Sequence, residues 1–350
     1  MGVTIKDVAK EANVAPSTVS RVIADHPSIS IETKQRVREI MKRLGYHPNF
    51  QARSLSSKSA QTIGIVMPDS TDRVFQNPFF PEVIRGIGSV AHGREYGLFI
   101  STGETEEEIF EGVQRMVYGR RVDGFVLLYS RVQDKVTNFL RKQGFPFVIV
   151  GKPNFHMDEI SHVDNDNVKA ARDATNYLIQ NGHERISFIG GSRELLVTVD
   201  RLEGYRQALE EANIPFQEEY IITEKALKEG GEEAAAELAK LPKKPTATIV
   251  TDDLMSFGLM NALYGSHIKV PEDLSIISFN NVLLAEMSHP PLTSVDVQVF
   301  QLGYQAGKCL IEKIKEPNEP NKRIIVPHNI VERKSIITIE KQQEEERKNR

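Results

Sequence analysis

The chain has only one cysteine, Cys309, among 350 residues. An internal disulfide and every paired-cysteine zinc site are therefore excluded. No run approaches eighteen apolar residues, which argues against a transmembrane helix. Charged side chains interrupt each short hydrophobic run near the start of the chain, so no signal-peptide core is recognised. We expect a cytoplasmic protein in which Cys309 lies in a core and is not a reactive thiol.

Motifs that carry common enzyme chemistry are also missing. There is neither a phosphate-binding Gly-Lys-Ser/Thr loop nor a Gly-x-Gly-x-x-Gly loop after a strand. Residues 190–194 lack the second glycine of a nucleophile elbow, and 164–166 begin like a calcium loop that has no closing glutamate. His156 and His162 approach a metal-ligand spacing, but an exposed loop is the better interpretation. We expect no enzyme, no metal site and no cofactor.

Charge is distributed unevenly along the chain. Residues 1–60, here called the head, carry ten Lys/Arg and five Asp/Glu, which gives a net charge of +5. The remaining residues, here called the body, carry 34 Lys/Arg and 43 Asp/Glu, a net charge of −9. A basic head on an acidic body indicates that any binding to a polyanion is confined to the head.

The first 47 residues predict three short helices. A capping box that begins at Thr4 starts the first helix, and Pro16 fits the first turn of the second. Ser30 is placed to cap the third helix and Gly45 to end it. A tight turn between the first two helices is typical of a helix-turn-helix unit, whose second helix enters the major groove. Periodicity alone also allows a small helical bundle with a solvated outer face.

Four segments go beyond periodicity, because in residues and spacing they closely resemble the lactose/galactose-repressor family. They are Thr4-Ile5-Lys6-Asp7-Val8-Ala9, Val14-Ala15-Pro16-Ser17-Thr18-Val19-Ser20-Arg21-Val22, Leu44-Gly45-Tyr46-His47-Pro48-Asn49 and Ala52-Arg53-Ser54-Leu55. One departure is Ala15, where the family commonly has a serine that caps the recognition helix. The resemblance implies a sequence-specific, DNA-binding transcription regulator. We therefore expect a helix-turn-helix domain over 1–47, a hinge helix and linker over 48–60, an effector-binding and dimerisation domain over 61–340, and a charged tail over 341–350.

The resemblance also implies which residues contact DNA. These positions are Thr4, Pro16, Ser17, Ser20, Arg21, Asn49, Ala52 and Leu55. Arg21 is the best candidate for a bidentate contact to guanine, which is worth about 1–3 kcal/mol of discrimination. Thr4, Ser20 and Asn49 fall where family members contact phosphates, so they would fix the register on the duplex without reading its sequence.

Leu55 closes a short hinge segment that begins at Asn49. About eight residues cannot sustain a helix alone in water, because nucleation is costly. In the family two such hinge helices pair on the DNA, and the equivalent leucine wedges into the minor groove. The alternative is that Leu55 rests on the body.

In the body, short apolar runs alternate with helical segments. The runs are 63–67, 98–100, 124–128, 147–150, 186–189, 248–250 and 274–279, and we interpret them as buried parallel strands. The fold prediction is therefore a small all-α head followed by an α/β body with two doubly wound parallel-sheet lobes of the periplasmic-binding-protein type. Ligands of such sheets bind beyond the carboxyl ends of the strands, so the cleft between the lobes is the expected site.

Polar side chains and one aromatic ring lie near these strand ends. The candidate effector-binding residues are Asp69, Phe79, Asp164, Arg201, Asp252 and Asn280. Such a set suits a neutral polyol, and the last four match effector-contacting positions of the family. Other interpretations stay open: Asp164 and Asp253 as helix caps, Phe79 as core and Asn280 as a turn residue. Many relatives have aspartate where this chain has Asn280.

Residues 278–286 and 290–295 resemble the maltose-repressor branch of the family. We therefore expect a homodimer that binds a pseudo-palindromic, double-stranded DNA operator and represses maltose or maltodextrin utilisation under the control of a sugar. Alternatives are a catabolite-control-type regulator that uses a protein corepressor, or a regulator that responds to another sugar or a purine. A transport-type sugar-binding protein would share the body, but it would need a signal peptide and no head. The tail has no leucine heptad, so no coiled-coil tetramer is expected.

Overall fold

The computed structural model describes residues 3–23, 25–46, 59–266 and 268–339. It separates into two units, Met1–Ala60 and Gln61–Arg350, which are the head and the body. No helix in these ranges is long and apolar enough to cross a membrane. The hinge candidates Asn49, Ala52 and Leu55 lie outside the described residues, as does the charged tail.

The head contains the three predicted helices, α1 (Ile5–Glu11), α2 (Pro16–Ile23) and α3 (Ile31–Leu44). The Asp7 carboxylate accepts the backbone N–H of Thr4 at 2.8 Å, which is the carboxylate half of the capping box. The Ser30 hydroxyl accepts the N–H of Thr33 at 3.3 Å and caps α3. Gly45 ends α3 at φ 65°, a backbone conformation that favours glycine.

One apolar cluster holds the three head helices together. Its buried members are Val8, Ala9, Ala12, Val19, Val22, Val37 and Ile40. They recur at helical spacing on each element, so each helix turns one face inward. The outward face of α2 carries Pro16, Ser17, Ser20 and Arg21, all of which are exposed.

The body alternates strands and helices. In chain order the elements are β1 (Thr62–Val66), α4 (Thr71–Val74), α5 (Phe79–Gly93), β2 (Gly97–Ser101), α6 (Glu106–Tyr118), β3 (Gly124–Leu127), α7 (Lys135–Lys142), β4 (Phe147–Val150), β5 (His162–Asp164), α8 (Asn167–Gln180), β6 (Ile186–Gly190), α9 (Leu196–Glu211), a 3₁₀ turn (Glu218–Tyr220), β7 (Ile221–Thr223), α10 (Lys228–Lys240), β8 (Ala247–Val250), α11 (Asp253–Gly265), β9 (Ser275–Phe279), α12 (Leu283–Met287), β10 (Thr293–Asp296), α13 (Val299–Lys315), β11 (Arg323–Ile325) and β12 (Asn329–Val331).

These strands form two six-stranded sheets. The first lobe has the order β11-β5-β4-β3-β1-β2, and the second has β12-β10-β9-β8-β6-β7. The two doubly wound lobes are thus confirmed. The expectation of purely parallel sheets is wrong at one place, because β12 pairs antiparallel with β10. The chain returns to the first lobe through α13 and β11 after completing most of the second, so the lobes are joined by more than one crossing.

The interpretation of 98–100 as a buried strand is also wrong. Leu98, Phe99 and Ile100 form part of β2 but are 36%, 40% and 39% exposed. β2 is one of the two edge strands of the first-lobe sheet, and its neighbour there is β1. An apolar run therefore predicted a strand correctly and its burial incorrectly.

Helix α13 packs very closely against α5 of the first lobe. Gly303 of α13 meets α5 so closely that a Cβ atom there would lie 2.0 Å from the carbonyl oxygen of Val83. Only glycine allows this approach of the two backbones. The contact fixes α13, and with it the returning segment, on the first lobe.

Candidate functional site

A cavity of about 910 Å³ lies between the two lobes of the body. Its wall contains all six residues that the sequence proposed for effector binding: Asp69, Phe79, Asp164, Arg201, Asp252 and Asn280. Five of them lie at the carboxyl ends of strands or at the start of a helix, where a doubly wound fold binds ligands, and Arg201 lies within a helix. The structure thus brings together residues up to 211 positions apart in sequence.

Three of these residues, Asp69, Phe79 and Asp164, come from the first lobe. Asp69 follows β1, and its Oδ2 atom accepts the guanidinium of Arg73 at 3.0 Å. Phe79 begins α5 and contacts Phe80 edge-on, with 5.3 Å between ring centroids. Phe79 also packs against the main apolar cluster. It therefore serves the core and at the same time presents a ring edge or face to the cavity.

Asp252 is the most fully hydrogen-bonded carboxylate at the cavity. Its Oδ1 atom caps α11 by accepting the backbone N–H groups of Leu254 at 2.8 Å and Met255 at 3.2 Å. Its Oδ2 atom accepts the side-chain amides of Asn77 and Asn280, each at 2.9 Å. Burial raises the pKa of Asp252, whereas the Asn77 amide acts in the opposite direction. Since a carboxylate has about four acceptor positions, Asp252 is already saturated by protein groups.

Asn280 completes this end of the cavity wall, whereas Asp253 is fully buried and does not line the cavity. Asn280 follows β9 at φ 101°, so it is indeed a turn residue, and it also directs its amide at Asp252. Asp253 does not cap a helix. Its carboxylate accepts the N–H of Val282 at 2.8 Å and the hydroxyl of Ser294 at 2.9 Å, and burial raises its pKa to about 7.

Arg201 supplies the buried positive charge of the cavity. It lies inside α9 and not directly after a strand, which corrects the sequence-based placement. Its Nε atom donates to Asn167 at 2.9 Å and one terminal nitrogen donates to the carbonyl of Thr251 at 2.7 Å. The guanidinium lies 4.1 Å from the ring centroid of Phe279. Burial lowers the pKa of Arg201 to about 10, which the carboxylate of Asp252 partly opposes.

Asp164 ends β5 and is not a helix cap, because Asp166 caps α8. Its Oδ1 atom accepts the Asn167 amide at 3.0 Å. Burial raises the pKa of Asp164 to about 7, and the nearby negative charge of Asp200 adds to this rise. Asp164 can therefore change its protonation state near neutral pH.

Sequence reasoning missed an ion pair that crosses the cavity. Lys152 of the first lobe lies 2.7 Å from Asp200 of the second. Lys152 follows β4 by two residues, so the strand-end rule could have found it. Asp200 lies on a helix, and only the fold places it there. Asn77 likewise joins the cavity although it was not among the proposed effector-binding residues.

The two histidines at metal-like spacing lie in different environments. His156 is exposed in a loop, as expected, but His162 is buried in β5 between β4 and β11. The described part of the chain holds no group of three or more His, Cys, Asp and Glu side chains suited to a metal ion. Cys309 is buried, as predicted.

The second surface with functional character is the outward face of α2. Pro16, Ser17, Ser20 and Arg21 lie on it, and Thr4 is exposed at the start of α1. Three other basic residues of the head pair with carboxylates, for example Arg43 with Glu11 at 2.8 Å. Arg21 forms no side-chain hydrogen bond or ion pair with the residues that the structure describes. Its guanidinium is thus available to a ligand.

Comparison with known proteins finds relatives of both the head and the body. Residues 4–49 match the family of bacterial regulatory proteins called the lacI family, and residues 175–336 match a periplasmic binding protein-like domain. The HTH-type transcriptional regulator MalR of Streptococcus pneumoniae is 42% identical over 341 residues, which are 95% of this chain and 100% of the relative. Catabolite control protein A of Priestia megaterium is 33% identical over 96% of this chain and 99% of its own length.

A solved structure of the transcriptional regulator CelR in complex with cellobiose is similar at a TM-score of 0.75 and 30% identity, covering 95% of this chain and 99% of that one. The relatives are transcription regulators and not enzymes. Transcription regulators therefore match the head and the body together, over nearly the whole chain. The chain belongs to the lacI family of bacterial transcription regulators.

Proposed function

We propose that this regulator represses genes of maltose or maltodextrin utilisation and that a small sugar in the interlobe cavity controls it. The observation that carries the proposal is the cavity of about 910 Å³, whose wall combines carboxylates, amides, a buried arginine and an aromatic ring. Sugar hydroxyls both donate and accept hydrogen bonds, and the apolar face of a sugar ring packs against an aromatic side chain. The name of the Streptococcus pneumoniae relative supports maltose, and the CelR complex supports a sugar ligand in this fold.

Within the cavity we assign different roles to the six candidates. Asp69 and Asp164 accept sugar hydroxyls, and Phe79 packs against a sugar ring. The second terminal nitrogen of Arg201 donates to a sugar oxygen, because its other two nitrogens are engaged by Asn167 and Thr251. Asp252 and Asn280 bind each other and shape the wall.

On the head we propose that Pro16, Ser17 and Arg21 read base edges and that Thr4 and Ser20 contact phosphates. Three further contacts are proposed from the sequence alone, at Asn49, Ala52 and Leu55. A repressor of this kind acts on the chromosome, and a cytoplasmic location follows from that role.

A homodimer is proposed from two exposed apolar patches on the body. In the first lobe the edge strand β2 exposes Leu98, Phe99 and Ile100. In the second lobe Leu283 and Met287 of α12 are 69% and 67% exposed. An uncovered apolar edge strand favours association. Two copies of the head would then bind the two halves of a pseudo-palindromic operator.

The direct test is a thermal-shift series on the full chain with maltose, maltotriose, glucose phosphates, galactosides and purines. A ligand at 100 times its Kd stabilises a protein by about 2.7 kcal/mol, which such a scan resolves. The proposal predicts a shift with maltose or maltotriose alone. A selective shift with another compound would replace maltose by that compound as the effector.

A second candidate is a catabolite-control-type regulator that uses a protein corepressor, favoured by the similarity to catabolite control protein A. In that case none of the small molecules shifts the melting temperature, and a partner protein raises operator affinity. Both candidate functions include operator binding by the head.

A further inference from the structure

Asn77 lies in the cavity wall where the first lobe contacts the second. It immediately precedes Pro78 and α5 in the first lobe, and it is only 6% exposed. Its amide carbonyl accepts the backbone N–H of Phe79 at 3.0 Å, which fixes the start of α5. Its amide nitrogen donates across the cavity to Asp252 of the second lobe at 2.9 Å. One side chain therefore contacts both lobes at once.

The lobes are also joined by backbone hydrogen bonds at another place on the cavity wall. Val132 of the first lobe donates its N–H to the carbonyl of Glu194 at 2.9 Å, and Leu196 of the second lobe donates to the carbonyl of Ser130 at 3.0 Å. Exchange of these amides with solvent requires their hydrogen bonds to open, and separation of the two segments opens both. They are therefore internal reporters of cavity opening that need no label and no ligand.

The Asn77–Asp252 hydrogen bond and the Lys152–Asp200 ion pair both cross the cavity, and they differ in character. The Lys152–Asp200 pair keeps 34% of the lysine side chain exposed, so water and salt weaken it. The partners of the Asn77–Asp252 hydrogen bond are each 6% exposed, and one of them is charged. A buried hydrogen bond to a charged group is among the stronger polar contacts. The Asn77 contact is therefore the more important of the two for closure.

We propose that Asn77 is a positioning residue that latches the first lobe to the second through Asp252 and thereby sets how readily the cavity closes on its effector. The effector part of this statement rests on the proposed function, whereas the latch itself does not. Asn77 touches the wall through a carboxylate that already has four protein donors. Its proposed role is to join the lobes at Asp252, and no contact of Asn77 with the sugar is part of the proposal.

The first test measures hydrogen exchange of the full chain at single-residue resolution. Asn77→Ser keeps an acceptor for the N–H of Phe79, because serine forms the same kind of turn, but its side chain is too short to reach Asp252. We expect exchange at Val132 and Leu196 to accelerate about tenfold or more, the size of losing one hydrogen bond to a charged group. Exchange at Val126 and Ile249, inside the two sheets, should stay unchanged. Unchanged exchange at Val132 and Leu196 would overturn the latch.

A charge exchange between the two positions provides the rescue. In the double variant Asn77→Asp with Asp252→Asn, the new amide at 252 still caps α11, since asparagine is a good N-cap. Its two N–H groups can donate to the new carboxylate at 77 and to the flipped amide of Asn280. We expect slow exchange at the two reporter amides to return. If it stays fast while the sheet amides remain protected, Asn77 acts only on the local loop and the proposal is wrong.

The effector arm uses maltose and maltotriose in calorimetric titrations of the same variants. We expect Asn77→Ser to raise the Kd about tenfold or more and the double variant to restore most of it. An unchanged Kd in Asn77→Ser would refute the link between latch and effector. If neither sugar binds the wild-type chain, the proposed effector fails, while the exchange data still decide whether Asn77 latches the lobes.

Discussion

The ammonium nitrogen of Lys152 lies 2.7 Å from the Oδ1 atom of Asp200, and this ion pair spans the cavity from the first lobe to the second. Asp200 in turn raises the pKa of Asp164 in the same wall. The electrostatics of the cavity are therefore coupled across the two lobes. Any movement of one lobe against the other changes the charge environment that a ligand meets.

The first prediction concerns salt. Because Lys152 is partly exposed, its attraction to Asp200 is screened as ionic strength rises, and its contribution is about 1 kcal/mol or less. We expect maltose affinity to fall severalfold between 50 mM and 500 mM NaCl in the wild type and to be nearly flat in Lys152→Met. Calorimetric titrations at several salt concentrations measure this. Equal salt slopes in both proteins would show that the ion pair does not influence binding.

The second prediction concerns pH. The pKa of Asp164 is about 7 in the folded protein against an ordinary value of 3.8. The folded state thus keeps a proton that the unfolded chain has lost between about pH 4 and pH 7, and the contribution of this group to stability falls as the pH rises through that range. Asp253 acts in the same direction, so Asp164→Asn should reduce the slope of stability against pH without abolishing it.

Sugar binding should lower the pKa of Asp164 and thereby release a proton. A sugar hydroxyl that donates to this carboxylate favours its ionised form, so binding near pH 6.5 releases a proton. The groups that face Asp164 are Asp200, Lys152, Arg201 and Asn167, of which Asp200 opposes ionisation and the two cations favour it. Titrations in two buffers of different ionisation enthalpy should give different heats for the wild type and equal heats for Asp164→Asn. Equal heats for the wild type would contradict the assignment.

The third prediction tests the dimer. Phe99→Glu places a charge on the exposed edge strand β2, where the account puts the contact between two copies. We expect this variant to be a monomer, as measured by sedimentation. Its operator affinity should fall greatly, because each head then binds alone. Phe155→Glu is the matched control, since Phe155 is 66% exposed in the loop after β4. A dimer that survives Phe99→Glu, or that is lost equally in the control, would place the interface elsewhere.

The fourth prediction concerns base reading. Arg21 is exposed on α2 and forms no side-chain hydrogen bond or ion pair with the described residues. Arg21→Ala should relax base preference at one symmetric operator position and cost about 1–3 kcal/mol there. Lys10→Ala is a control that removes an exposed charge of α1. Site selection from random DNA compares the three proteins. An unchanged preference profile in Arg21→Ala would remove Arg21 from the base-reading residues.

Much of this architecture was predictable from the sequence because its signals are local. Caps and glycines such as Ser30 and Gly45 determine where helices begin and end, and polar residues after apolar runs mark the edge of a parallel sheet. The exposure of Phe99 was not predictable, because the apolar residues of β2 are typical of a central strand although β2 lies at an edge of the sheet. The placement of Asp200 and Arg201 on α9, and the cross-lobe role of Asn77, depend on how the two lobes pack. The packing of the two lobes involves residues far apart in sequence, so no local pattern predicts it.

The central claim is that a sugar in the interlobe cavity changes the affinity of the head for its operator. Fluorescence anisotropy of the full chain on a selected pseudo-palindromic site, with and without saturating maltose or maltotriose, tests it most directly. We expect a change in operator Kd of about 5-fold to 150-fold, the usual size of such coupling, and no change with galactosides. If a sugar binds the body and the operator Kd stays the same, the sugar does not control DNA binding.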